Sequence, residues 1–170
     1  MVAAFRRSLT TVVLGATLLL GSAGAAVGSP FITPHGAGAL RLGATARSLQ
    51  AKGLIGGLRR GCELDPGQRV APLRTPLQGW AVFRAGQAGL RAFTVEGGAE
   101  TARHIGIGST ATEARKAYPH ALYEAPGTAQ PFPVGFLWVP NLSKPQMTMI
   151  IEPGNRQVEA ISVPSPNFCE

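Results

Sequence analysis

Charge, aromatic residues, histidine and cysteine are all scarce in this chain. Of its 170 residues, 15% are charged and 6% aromatic, with three histidines, two cysteines and a single aspartate, Asp65. Each shortage closes a route to function. A zinc site needs ligands at close spacing, such as i, i+4 or Cys-x-x-Cys; His35, His104 and His120 offer no such pair. Ser-His-Asp chemistry needs a buried acid, and the only aspartate stands in Asp65-Pro66-Gly67, a turn signal. There is no Gly-x-Ser-x-Gly elbow. Gly106-Ile107-Gly108 is too short and wrongly placed for a dinucleotide loop. Glu152 and Glu159 can face each other across a hairpin turn, which marks solvent-exposed strand ends rather than a glycosidase pair. The sequence therefore names no catalytic, cofactor-binding or metal-ligating residue.

The basic excess is equally diffuse. The formal net charge is +7, yet Arg59-Arg60 and Arg115-Lys116 are the only adjacent basic pairs beyond the first residues. A nucleic-acid binder concentrates such charge on one element with aromatics between. This pattern points instead to a weakly basic surface in contact with an acidic cell envelope, and to no nucleic-acid partner.

What is present begins with an export signal. Arg6 and Arg7 precede an apolar run from Leu9 to Leu20, followed by the small residues Ala23-Gly24-Ala25. This is the layout of a cleaved signal peptide over residues 1–25. The run is too short for a comfortable span, so no stable membrane span is expected after cleavage. The chain is then secreted, and the remaining residues, about 145, suit one domain with a real core. Two cysteines in an exported chain read as one disulfide, Cys62 to Cys169, which would pin the C-terminus.

Two echoes organise the rest. Leu42-Gly43-x-Thr45 returns 65 positions later as Ile107-Gly108-x-Thr110. Each threonine can cap a helix, and Thr110-Ala111-Thr112-Glu113 completes a capping box that Ser48 weakens in the first copy. Leu90 to Val95 matches Val158 to Val163 at an offset of 68. Similarity repeated at a long period indicates a duplicated supersecondary unit. The expected layout is an extended lead-in over residues 26–37, unit 1 over 38–101 and unit 2 over 102–170, together one domain.

Within the units, helices are expected over 45–52 and 110–118, the second stopped by Pro119. A short strand is expected around Arg60 to Leu64, and Pro72 to Gly79 reads as loop. A hairpin joins Trp80-Ala81-Val82-Phe83 to Leu90–Val95. Strands follow at 121–124, 135–139, 147–152 and 158–163, with Pro153-Gly154 at the centre of a type II turn. Helices segregated against antiparallel strands give an α+β fold: one continuous sheet backed by two short helices. The expected core is Leu42, Leu49, Phe83, Phe93, Val95, Ile107, Ala114, Trp138, Met149, Ile151, Ile161 and Val163.

An apolar-Gly-x-Thr segment opening a helix, then a strand meander, then the whole repeated, resembles the β-lactamase inhibitory protein family. It is also similar to the small envelope-assembly lipoprotein domains built from a single such unit. The resemblance implies a tandem α+β fold without catalytic residues. Those inhibitors carry a disulfide in each repeat, whereas this chain has one cysteine per half.

The function expected is a non-enzymatic binding module of the envelope or extracellular space, engaging another protein or a cell-wall polymer through one sheet face. The candidate contact is the loop Ala125 to Pro133, with Pro126, Phe132 and Pro133, since loops on rigid scaffolds carry recognition. An inhibitor of a β-lactamase or protease is the narrower alternative, and a small secreted enzyme with a site assembled from scattered residues is the third.

Overall fold

The computed structural model describes residues 29–63, 65–128 and 132–167. The expected signal peptide lies outside the described residues, as does Cys169. The chain is mostly strand, with two short helices.

The larger sheet has eight strands: β4 (Arg59–Arg60), β5 (Gln68–Pro72), β6 (Gln78–Arg84), β7 (Leu90–Gly97), β9 (Leu122–Glu124), β10 (Gly135–Val139), β11 (Met147–Ile151) and β12 (Val158–Val163). Their spatial order is β4-β5-β6-β7-β12-β11-β10-β9, and every neighbouring pair is antiparallel. Each half of the chain thus forms a four-stranded meander, and the last strands of the two meanders lie side by side. Before the first meander comes α1 (Ala46–Ala51), and before the second comes α2 (Ala111–Ala117).

Both helices start where a threonine satisfies the first turn. Thr45 and Thr110 have nearly the same extended backbone, φ −69°, ψ 148° and φ −71°, ψ 153°. Thr45 accepts from the Ser48 amide at 3.2 Å, and Thr110 from that of Glu113 at 3.2 Å. The Glu113 carboxylate returns to the Thr110 amide at 2.8 Å, closing the box. Gly43 (φ +79°) and Gly108 (φ +87°) occupy matching left-handed positions ahead of them.

The helices cover one face of the sheet. Leu49, Ala111 and Ala114 pack into a single apolar cluster with Ala71, Ala81, Phe83, Leu90, Phe93, Val95, Leu137, Met149, Ile151, Ile161 and Val163. Phe93, Val95, Met149, Ile151, Ile161 and Val163 are fully buried. At about 25 cal/mol per Å² of apolar surface, burying each such side chain contributes roughly 1.5–3 kcal/mol. Leu42 packs at the margin of this cluster.

Five expectations need correction. Ile107 is 37% exposed, and Ile105, 5% exposed, takes the core position instead. Ile107 sits in the turn leading to Gly108, and its counterpart Leu42 is itself only half-buried. The turn after β11 is not type II. Its left-handed residue is Arg156 (φ 56°), whose amide donates to the Glu152 carbonyl at 3.1 Å, so the turn spans five residues. The lead-in is not merely extended. β1 (Phe31–Thr33), β2 (Gly36–Ala37) and β3 (Leu40–Arg41) form a small second sheet, β1 pairing in parallel with β8 (Glu100–Thr101). The strand placed around Arg60 to Leu64 is shorter and earlier, Arg59–Arg60. The expected loop Pro72 to Gly79 is loop only over residues 73–77, since Pro72 ends β5 and Gln78 and Gly79 open β6.

Candidate functional site

The sheet face turned away from the helices carries the candidate site. Strand alternation puts Trp80 and Val82 of β6 on the side opposite Ala81, and Phe136 and Trp138 of β10 opposite Leu137. Cross-strand register then lines up one row: Trp80 pairs Thr94, Thr94 pairs Ser162, Ser162 pairs Thr148, and Thr148 pairs Trp138. Two tryptophans therefore bracket three hydroxyls, separated by four strand spacings, roughly 19 Å. Thr94 Oγ1 and Ser162 Oγ lie 2.9 Å apart, and Thr148 Oγ1 donates to the Pro164 carbonyl at 3.2 Å.

The two ends of this row differ. Around Trp138 the face is closed: Trp138 is 8% and Phe136 1% exposed. Phe132 packs edge-on against Phe136 at 6.1 Å, Phe136 lies 5.1 Å from Trp138, and the indole N–H donates to Glu124 Oε2 at 2.6 Å. Trp138 is buried as expected, but on the face opposite the helices. Around Trp80 the face is open. Its half-buried ring lies under the Arg59 guanidinium, 4.4 Å from carbon to centroid. A groove of about 280 Å³ beside it is lined by Val70, Trp80, Val82, Thr94, Glu96 and Asn167.

The C-terminal segment reaches that groove through Asn167. Residues 164–167 border Gln68, Val82 and Ala92 on the outer face. Asn167 Oδ1 accepts from Gln68 Nε2 at 2.8 Å, and the Gln68 carbonyl accepts from the Gly61 amide at 3.2 Å. The tail is thereby tied to the loop that holds Cys62, which is buried.

Of the expected contact loop, Phe132 turns inward onto Phe136 while Pro133 is exposed and Pro126 is half-buried. The Gly127 amide donates to the Pro133 carbonyl at 3.1 Å and draws the loop's ends together; residues 129–131 lie outside the described residues. Phe132 thus packs at the closed end of the row, which the loop's composition does not reveal. Trp80 and Arg59 were missed as a pair because Arg59 reaches β6 only through the intervening β5.

His35 is exposed between β1 and β2, His120 is exposed after α2, and His104 (φ 57°) pairs with Glu100 at 3.0 Å. Among the described residues no group of three His, Cys, Asp or Glu is placed to hold a metal ion. Glu159 has its carboxyl raised above the ordinary value, first by burial and then by the charges of Glu152 and Glu96. Burial also pushes the Tyr118 hydroxyl up, against a hydrogen bond with Thr101 and the charge of Arg103. Among the described residues no helix is long and apolar enough to cross a membrane.

Comparison with protein-family models, with curated proteins and with solved structures finds no match in any of the three.

Proposed function

We propose that this chain is an exported, non-enzymatic binding module that engages another extracellular protein or a cell-wall polymer through the outer sheet face around Trp80. One observation carries the reading: Trp80 keeps part of its ring accessible at the open end of a row whose other end is closed. Arg59 stacked on the ring holds it in place, so little rotamer freedom is lost on binding. Thr94, Glu96 and Asn167 beside it supply hydrogen-bonding groups of both kinds. An apolar platform with a few fixed polar groups suits the face of a sugar ring or a planar peptide unit.

The test is binding of the mature protein to isolated cell-wall material and to extracellular protein fractions, with W80A alongside. Saturable binding that W80A weakens by about tenfold supports the reading; equal binding by W80A removes the site. The inhibitor alternative is separated by assaying β-lactamases and proteases with added protein. Inhibition lost in W80A narrows the module to an inhibitor, and flat activity across both panels ends that version.

We further infer that the two halves descend from one copied unit. Support comes from the paired caps Thr45 and Thr110, and from matched bonds that tie each cap loop to its meander. The Gly43 amide donates to Leu90 and the Gly108 amide to Val158, both at 2.8 Å; Leu90 and Val158 donate back to Ala44 and Ser109, again at 2.8 Å.

A further inference from the structure

We propose that the free edge of the large sheet at β9, with the basic groove beside it, takes an extended acidic segment of a partner protein as an added strand. This surface lies at the opposite edge from Arg59 and does not rest on the reading of Trp80. A groove of about 650 Å³ separates α2 from β9, lined chiefly by Arg115, Lys116, Tyr118, Pro119, Leu122 and Tyr123. Arg115 and Lys116 are exposed, and no described carboxylate pairs with either; the ion pairs among the described residues are Arg84 with Asp65 and His104 with Glu100. Arg115 rests 4.9 Å above the Tyr123 ring, which orients its charge without neutralising it. Arg103, 5.1 Å above Tyr118, donates to the Ala117 carbonyl and adds a third cation at the end of α2.

The edge supplies the second half of the argument. β9 is the last strand of the sheet and pairs only with β10 among the described residues. Alternate backbone N–H and C=O groups of an outermost strand point away from the sheet, ready for another chain. Tyr123 shares the helix side with Leu137, whereas Leu122, 43% exposed, shares the outer side with Trp138. Side chains of an added strand alternate in the same way. Every second residue would face Arg115 and Lys116, and the others would flank Leu122. The geometry therefore selects a strand that alternates acidic with apolar residues, a combination of main-chain pairing for affinity and side chains for specificity. The opposite edge strand, β4, is only two residues long.

The test uses the mature chain, isotope-labelled, with a fluorescein-labelled peptide of alternating glutamate and valine. Expected is saturable binding that weakens with salt, with amide shifts centred on Leu122, Tyr123 and Glu124. Reversing the groove charges in R115E/K116E, both on an exposed helix face, should weaken binding by about tenfold or more. A peptide of the same sequence, N-methylated at every residue, has no N–H left on either edge, cannot pair as a strand and should not bind; this control holds whether or not the variant folds. Equal binding by the methylated peptide, or unchanged affinity in R115E/K116E, overturns the proposal. So does equal competition by phosphatidylglycerol vesicles or polyphosphate, which would mean attraction to anions of any kind, or no binding at about 1 mM peptide.

Discussion

Thr94 Oγ1 lies 2.9 Å from Ser162 Oγ, and these two residues sit 68 positions apart, at equivalent points of the sequence echo. Around them the strands pair reciprocally: Phe93 faces Val163, and Val95 faces Ile161. A register in which Phe93 meets the counterpart of Val95, and Val95 the counterpart of Phe93, has the pattern of a local two-fold relation centred on the hydroxyl pair. Inward of it lie four fully buried apolar side chains, and outward the row that ends in the two tryptophans.

The hydroxyl pair should be energetically coupled. Ser162 is fully buried, so T94A leaves its hydroxyl without this partner. A buried polar group left unsatisfied costs about 1–3 kcal/mol. T94A and S162A should each destabilise in urea titrations, and the double variant T94A/S162A should lose less than the two losses added. Strict additivity would show that the hydrogen bond contributes nothing to folding.

Gly89 provides a steric test of the bonds between cap loop and meander. Its φ is +100°, and a Cβ there would run into the carbonyl of Gly43. Gly86 has φ +75° with open space around its Cα. G86A should therefore cost about 1–2 kcal/mol, the strain of a left-handed residue alone. G89A should cost clearly more, because backbone must move and the Gly43–Leu90 bond is at stake. Equal midpoints for G86A and G89A in denaturant would mean that the loop yields freely.

The helix caps carry a matched prediction. T45A and T110A each remove an acceptor from the first turn and should cost about 1 kcal/mol. They diverge with pH, because only Thr110 has a capping-box carboxylate. Hydrogen bonds from the Thr110 backbone and then its side chain hold the Glu113 carboxyl below its ordinary value. Its contribution is present above the unfolded-state value and disappears as pH falls through the folded one. Thermal melts from pH 3 to 7 should show the T110A deficit shrinking in acid and the T45A deficit constant.

We propose a Cys62–Cys169 disulfide, supported by the bond that brings Asn167 to Gln68, beside the loop of buried Cys62. Thiol titration of the unreduced native protein should find no free thiol. A bridge closing a loop of about a hundred residues is credited with roughly 4–5 kcal/mol in the chain-entropy treatment. Reduction should lower the melting temperature and expose residues 164–167 to proteolysis. Two titratable thiols in the native protein would dispose of the bridge.

Sequence reasoning succeeded where the physics is local. Thr110 with Glu113 announces a capping box from four adjacent residues, and Gly135–Val139 and Val158–Val163 are bounded as observed because their apolar runs end at turn residues. It failed where partners are distant. The two-residue strands Gly36–Ala37 and Leu40–Arg41 have no periodicity to read, and Phe31–Thr33 is fixed between Gly36–Ala37 and the distant Glu100–Thr101. Ile107 and Ile105 look alike in sequence; only the fold decides which is covered. The row from Trp80 to Trp138 depends on registers shifted by irregularities at Gln78/Gly79, Val82/Phe83 and Ile150/Ile151. No spacing of residues along the chain encodes those shifts.

Glu159 supplies the last prediction. It follows Val158 at the irregularity between β11 and β12, where Ile150 pairs Ala160 but Ile151 pairs Val158, so it has no partner across the ladder. Burial, then Glu152, then Glu96 raise its carboxyl above the ordinary 4.5. Because the folded value exceeds the unfolded one, the native state holds the extra proton in the window between them. The associated stability is complete below the unfolded value and is lost as pH rises through the folded value. Glutamine keeps the shape, cannot ionise and leaves Glu96 and Glu152 with one fewer like charge. E159Q should therefore melt higher than wild type at pH 7, with the difference opening as pH rises through the folded value of Glu159 and flat above it. The side chain is largely exposed, so solvent screening keeps the gain small. Parallel melting-temperature curves for the two proteins from pH 3 to 8 would show that the three carboxylates do not interact.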